Sequence, residues 1–365
     1  MDNSKLEIFI KQLNPKHTRL KELLSEHTTL GIGGPADIFY EAHDINELVS
    51  VVKLAKLQNI PVTILGRGSN VLISDNGIRG IVIKNLAKNI QIKGEKPVNE
   101  DKIDVPNVTS RWESDHDMGT FKYEFKDLNY DESDEGRVEV IMDSGVDLTF
   151  AINYLLNEAV TGLQWFAGIP GTIGGAVFNN IHGGTRFLSE VTEKVKVLTQ
   201  ESEIAEIGIK ELGVDYDKSR FHESGEIILQ ATFNLFKGDV DRAKATAQEW
   251  ARRKSLQPRN TPGCAFANIT QEERRKFGYP TTSYGYVIEH VLGMSGFRIG
   301  DAAISKKHHS FIENKGKATA KDYLEVMREI QKQMKKKLDI HLRPEIFFLG
   351  FNKKEIRDLY EKNNY

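Results

Sequence analysis

From residue 36 to residue 84 the chain alternates between strand-like and helix-like periodicity, and a run of glycines interrupts the alternation. Ala36–Glu41 reads as a strand. Asp44 supplies a helix N-cap, with Glu47 three residues on to complete a capping box. Leu48, Val51, Val52, Leu54 and Ala55 then recur on the buried side of a helix that ends near Asn59. Pro61 opens the strand Val62–Leu65, the turn Gly66-Arg67-Gly68-Ser69-Asn70 follows, and two further strands fit Val71–Ser74 and Gly80–Lys84 around Asp75-Asn76-Gly77. This is the pattern of an α/β unit.

The glycine turn is not a nucleotide motif of a common kind. It lacks the Lys-Ser/Thr of a phosphate loop, and the third glycine and following helix of a dinucleotide fold. Its chemistry nevertheless suits an anion, because glycines let backbone N–H groups converge and Ser69 and Asn70 add side-chain donors. A second loop, Gly168-Ile169-Pro170-Gly171-Thr172-Ile173-Gly174-Gly175-Ala176, completes a set of five glycines over Gly162–Gly175. Either loop alone is as readily a tight turn. Two in one α/β domain can clamp the two ends of a pyrophosphate.

The flanking segments are of other kinds. Residues 4–25 read as short helices, Lys5–Leu13 and Thr18–Leu24, divided at Pro15. Residues 94–137 carry 13 acidic against 6 basic residues and few aliphatics, which predicts a solvated insertion between two strands. Its Asp115-His116-Asp117 could ligate a metal, but the polar, aperiodic context favours a loop, and no metal is expected. Order resumes with the strand Val138–Ser144 and the helix Leu148–Asn157. Strands then fit Val191–Thr199, Ile204–Ile209 and Glu226–Leu235. A helix Val240–Lys254, capped by Asp239, marks a change to mixed α+β. The helix Ala320–Leu338 carries Tyr323, Met327, Ile330, Met334 and Leu338 at core spacing. A net charge of −2 gives no electrostatic case for nucleic acid or an anionic membrane. No apolar run approaches the ~18 residues of a membrane span, and the N-terminus lacks a signal-peptide core. The single cysteine excludes an internal disulfide and fits a reducing cytoplasm.

That cysteine, Cys264, follows Pro262 and Gly263, which favour a sharp reversal. By itself it reads as a buried small hydrophobe sooner than as a reactive group. Its segment, Gly263-Cys264-Ala265-Phe266-Ala267-Asn268, is one of seven that occur in a familiar order. The others are residues 27–37 (His-Thr-Thr-Leu-Gly-Ile-Gly-Gly-Pro-Ala-Asp), residues 65–72, Gly168–Ala176, residues 296–302 (Gly-Phe-Arg-Ile-Gly-Asp-Ala), residues 308–314 and Leu342-Arg343-Pro344-Glu345-Ile346. Over about residues 20–350 the chain resembles the UDP-N-acetylenolpyruvoylglucosamine reductases.

The resemblance implies an α+β fold: a two-lobed FAD-binding domain of the vanillyl-alcohol-oxidase type, then a smaller C-terminal α+β substrate domain. It divides the chain into an N-terminal helical segment 1–25, the FAD-binding domain 26–238 with the acidic insertion 94–137, the substrate domain 239–350 and a tail 351–365. It implies that NADPH reduces FAD, and that hydride then passes to the enolpyruvyl ether of a UDP-linked amino sugar, giving UDP-N-acetylmuramate for peptidoglycan precursor synthesis. A cytoplasmic monomer is expected, with no nucleic-acid or membrane partner. Residues implied to hold FAD are Gly66, Arg67, Gly68, Ser69, Asn70, Gly168, Ile169, Pro170, Gly171, Thr172, Gly174, Gly175, Ala176 and Ile228. Tyr216, Asn268 and His308 are implied to meet the substrate.

Hydride attack builds an enolate, which needs stabilisation and a proton. The resemblance makes Cys264 the proton donor, which must be a neutral thiol at transfer, and Glu345 the catalytic glutamate. A carboxyl group facing an enolate must be protonated or held by a cation to help. Where the family has an arginine, in Tyr-Arg-x-Ser-x-Phe, this chain reads Tyr216-Asp217-Lys218-Ser219-Arg220-Phe221. Arg220 is the expected substitute, oriented by Asp217, with Lys218 the lesser candidate. Asn180-Ile181-His182-Gly183-Gly184 is a second departure. Ala267, where a long polar residue is usual, is a third. The alternatives are a flavin oxidase or dehydrogenase acting on another small substrate, and a flavin-binding protein without activity.

Overall fold

The computed structural model describes residues 3–96, 128, 130–184 and 186–360. Three sheets organise it. The first places Thr18–Leu20, Ala36–Ala42, Ile78–Asn85 and Val62–Leu65 side by side, the last three mutually parallel. The helix Ile45–Leu57 crosses between them, burying Leu48, Val51, Val52 and Ala55 against Ile38, Ile81 and Ile83. The Asp44 carboxylate accepts from Glu47 N at 2.8 Å. The expected reciprocal bond shifts by one residue, because the Glu47 carboxylate accepts from His43 N at 2.7 Å and from Tyr40 OH at 2.6 Å. The N-terminal segment is only partly helical. Its helix spans Asn3–Ile10, but Thr18–Leu20 is an antiparallel edge strand on Ile38–Tyr40, and Leu24–His27 is a 3₁₀ turn. An isolated single-turn helix is marginal, and the open edge of Ala36–Ala42 offers the backbone a complete set of partners.

The second sheet is wholly antiparallel, in the order Ile204–Gly208, Thr192–Leu198, Ile227–Phe236, Arg137–Asp143, Ile90–Lys96. The helices Leu148–Asn157 and Val240–Ser255 share its core. The strands Ile90–Lys96 and Arg137–Asp143, which flank the acidic segment in sequence, pair antiparallel. Asp115, His116 and Asp117 lie outside the described residues. The described end of the insertion is not all solvated. Glu132 is buried, accepting from Thr161 Oγ1 at 2.6 Å and Gln164 Nε2 at 2.9 Å, and burial holds its carboxyl above the ordinary range.

The third sheet, Arg298–Ile299, Ala302–Ile304 and Ile312–Asn314, packs with the helix Ala320–Leu338. Tyr323, Met327, Ile330 and Met334 form that helix's buried stripe. This C-terminal body is tied to the stretches around residues 30 and 71–75 at several points. Leu30, Ile32 and Leu72 belong to its core. Asp75 accepts from the helix's first N–H groups, Ala320 N at 2.7 Å and Lys321 N at 3.1 Å. Phe347–Leu349 pairs parallel with Val71–Ile73. Residues 351–360 pack on the same helix through Arg328–Asp358 and the buried Leu359. Among the described residues no helix is long and apolar enough to cross a membrane.

Asn314 is the most exacting of these ties. It donates to Leu30 O at 3.1 Å and accepts from Gly316 N and Ala318 N while buried. Asn314→Ala leaves those groups unpaired, at about 1–3 kcal/mol each at most. Urea unfolding followed by tryptophan fluorescence should show a total loss of about 2–3 kcal/mol, since part of the cost is relieved by water.

Candidate active site

A cavity of about 1450 Å³ opens where the three bodies meet. It exceeds the roughly 300–1,000 Å³ of an ordinary ligand site, so it has room for a dinucleotide and a second ligand together. One wall is built from the two glycine loops. Residues 66–70 leave the end of the strand Val62–Leu65 and turn against residues 168–176, which lead into the short helix Ile173–Phe178 with Thr172 as its N-cap. Ser69 Oγ donates to Pro170 O at 2.6 Å, and Arg67 pairs with Asp147. The approach requires a glycine at 66: a Cβ there would lie 2.8 Å from Thr172 Oγ1. Among the described residues none accepts a hydrogen bond from the N–H groups of Arg67, Gly68 or Ser69. These N–H groups suit the phosphate oxygens of a dinucleotide. At Gly171 a Cβ would meet nothing within 4 Å, so that glycine faces open cavity.

The opposite wall comes from the C-terminal body. The extended stretch Cys264–Ala267 lies between two others. Ala265 N donates to Ser310 O at 3.0 Å on one side, and Ala267 N donates to Arg343 O at 2.8 Å on the other. The buried Tyr284 hydroxyl fixes the middle, accepting from Ala265 N and Phe266 N and donating to Ser310 O. This layering sets Cys264, His308 and Glu345 on one surface. Glu345 is also held to the glycine turn: its N–H donates to Ala265 O at 3.2 Å, and its carbonyl accepts from Asn70 Nδ2 at 3.5 Å.

The electrostatics of this wall are unusual. Burial, then the nearby Glu345, pushes the Cys264 thiol well above its ordinary range. Burial, then Asp217, does the same to the Glu345 carboxyl. The thiol is therefore protonated at neutral pH, and the carboxyl is shifted toward its protonated form. Burial holds His308 down to about 4, with Lys254 and His309 adding repulsion, and holds His182 down to about 3. Both imidazoles are neutral near pH 7.

Of the residues expected at the site, every one except Arg220 lines the cavity. Cys264, Glu345, Asn268, His308, Ile228 and all thirteen glycine-loop positions do so. Tyr216 does as well, stacked on His182 with centroids 4.8 Å apart. Arg220 is placed elsewhere. Its guanidinium grips Glu226 through two bonds, at 3.0 and 3.2 Å, and donates to Glu211 O at 3.3 Å. A chelating carboxylate six residues on captures the side chain before it can reach the cavity. Lys218 pairs with Glu223 and does not line the cavity either. Lys254 was missed. It lines the cavity from the last turn of the helix Val240–Ser255, where sequence alone suggests a solvated cation.

Two family models match the chain. The one described as "FAD binding domain" covers residues 36–98, and "UDP-N-acetylenolpyruvoylglucosamine reductase, C-terminal domain" covers residues 256–349. The UDP-N-acetylenolpyruvoylglucosamine reductase of Clostridium kluyveri is 32% identical over 340 residues, 93% of this chain and 95% of that protein. That of Clostridium novyi is 31% identical, covering 95% and 96%. The crystal structure of the Thermus caldophilus reductase superposes with a TM-score of 0.65 at 26% identity, covering 91% of this chain and all of that one.

Two outcomes follow from the walls. Gly171→Val sets its Cβ in cavity space with no protein atom within 4 Å, so the purified variant should keep its circular dichroism and lose the yellow absorbance of bound FAD. Glu345 keeps its proton in the folded state at pH values where the unfolded chain, near its ordinary 4.5, has released it. The folded state thus binds more protons, and stability falls as pH rises from about 4.5 through the raised value. Urea midpoints across that range should decline less steeply in Glu345→Gln.

Proposed function

The chain belongs to the UDP-N-acetylenolpyruvoylglucosamine reductases, and from that premise we propose that Cys264 and Glu345 carry the proton chemistry of this reaction in the cavity. The protein is an FAD-dependent oxidoreductase of peptidoglycan precursor synthesis that uses NADPH as reductant. Its substrate is the enolpyruvyl ether of UDP-N-acetylglucosamine, and its product is UDP-N-acetylmuramate. We assign residues 26–238 to FAD binding, residues 239–350 to the substrate side and the reaction to the cytoplasm, with the protein acting as a monomer.

Both glycine loops would hold the FAD diphosphate, with Ile228 and residues 174–176 beside it. FAD, when bound, takes hydride from NADPH and supplies it to the substrate. On the substrate, hydride adds to the terminal CH₂ of the enol ether. The C=C electron pair moves toward the carboxylate as an enolate. The carbon beside that carboxylate then takes a proton from Cys264 Sγ, and the S–H electron pair stays on sulfur until solvent restores the proton. A protonated Glu345 donates a hydrogen bond to the enolate oxygen as its charge grows. Neutral His308 and Asn268 bind the sugar nucleotide, and the Tyr216 ring packs on it.

One observation supports this reading above the others. A thiol and a carboxyl, both shifted toward their protonated forms, share the wall that faces the glycine loops. An ionised carboxylate there would oppose the enolate, and an ionised thiol could not donate. The test separates the half-reactions. In stopped flow, Cys264→Ala should be bleached by NADPH nearly as wild type is. Its anaerobic re-oxidation by the enolpyruvyl substrate should slow by about 10²–10⁴-fold, the usual worth of a general acid. Cys264→Ser should keep much of the activity. Wild-type rates of re-oxidation in the alanine variant would overturn the assignment.

A further inference from the structure

The reaction creates negative charge twice in one place, first on the enolate and then on Cys264 Sγ. This inference rests on the reductase reading above. The neighbouring acids oppose that charge, because Glu345 and Asp217 both disfavour a thiolate at Cys264. A cation is required, and most of those lining the cavity are committed elsewhere or face solvent. Arg67 pairs with Asp147 and Arg253 with Glu249, while Lys56 donates to the carbonyls of Thr199 and Gln200. Arg259, Lys306 and Lys307 are exposed. Arg343 acts on Glu345 but does not line the cavity.

Lys254 differs from all of these. Its side chain packs on the second glycine loop, where a Cβ at Gly168 would come within 2.8 Å of Lys254 Cβ. Among the described residues its ammonium makes no hydrogen bond. Burial lowers its pKa, and Cys264, Asp217 and Glu345 oppose that by favouring the ammonium, while its charge disfavours protonated His182 and His308. Asp217 is presented at φ 47° by a tight turn in which Asp215 N donates to Lys218 O at 3.0 Å. Asn180 Nδ2 holds that turn by donating to Asp215 O at 3.0 Å.

We propose that Lys254 is the catalytic cation of this site, set against the substrate carboxylate to meet the enolate and then the Cys264 thiolate, with Asp217 as its positioning counter-charge. In this role the lysine acts as an ammonium and exchanges no proton. Asp217 thereby gains a role at the position where the resemblance leads one to expect a guanidinium.

The lone cysteine makes the test direct. Alkylation of the purified flavoprotein by iodoacetamide, followed by intact mass across pH, reads Cys264 alone. Lys254→Met should move the inflection of the alkylation rate to higher pH by about one unit, the low end for an opposite charge at close range. Asp217→Asn should move it to lower pH, and Lys254→Arg should leave it near wild type. In stopped flow, Lys254→Met should slow re-oxidation by the enolpyruvyl substrate about 10²–10³-fold, and Lys254→Arg should restore most of that rate. Bleaching by NADPH should stay within about threefold. Lys254→Gln serves if the methionine variant does not fold. An unshifted alkylation profile, or re-oxidation within about threefold of wild type, overturns the proposal. If the wild type itself is not re-oxidised by this substrate, the reductase reading fails instead, and the alkylation shift still decides whether Lys254 acts on Cys264.

Discussion

The parallel pairing of Phe347–Leu349 with Val71–Ile73 governs the rest of the site. The inner strand leaves directly from the first glycine turn, so whatever precedes the outer strand must lie over that turn. Just before it stands Glu345, whose carbonyl accepts from Asn70 Nδ2, while Phe347 N donates to Asn70 O. The outer stretch in turn supports Cys264–Ala267 from one side, as residues 308–311 do from the other. A register slip of one residue would turn Glu345 away from the cavity. The thiol, the carboxyl and the first glycine turn are therefore positioned by a single ladder, not by three independent loops.

That ladder brings together groups whose ionised forms repel, in a setting where desolvation already penalises charge. The result is a wall that disfavours charge: a thiol and a carboxyl shifted toward their protonated forms and the unprotonated imidazole of His308. Such a wall is hostile to a charged intermediate unless a cation waits within it. The half-buried Lys254 ammonium beside Cys264 and Glu345 is placed to provide that, and Asp217 offsets part of the cost that burial puts on its charge.

Much of this was legible from sequence where the signal was local. Asp44 and Asp239 cap the helices that they were expected to cap, and the helix Leu148–Asn157 has its expected limits. Both glycine loops announced themselves through backbone freedom, a property of the residue and not of its surroundings. The failures share a cause too. Thr18–Leu20 became a strand because a distant edge needed a partner. Arg220 was captured by Glu226, a choice between two reachable carboxylates that spacing cannot resolve. Glu132 was taken for part of a solvated acidic run until Thr161 and Gln164 proved to enclose it. Lys254 lies ten residues before Cys264, and only the fold turns its helix end inward.

The segment matched by the reductase C-terminal family, residues 256–349, looks like a module on paper. It is not one in the folded chain. Its longest helix begins at a carboxylate 245 residues upstream, its last strand has its partner near residue 72, and part of its hydrophobic interior comes from Leu30, Ile32 and Leu72. Excised alone, it would expose an unpaired strand edge and lose the Asp75 carboxylate at its longest helix. Exchange of this half between relatives would have to carry the stretches near residues 30 and 70–77 with it. Recombination in this architecture is limited by its interleaving, and the natural unit of inheritance is the whole chain.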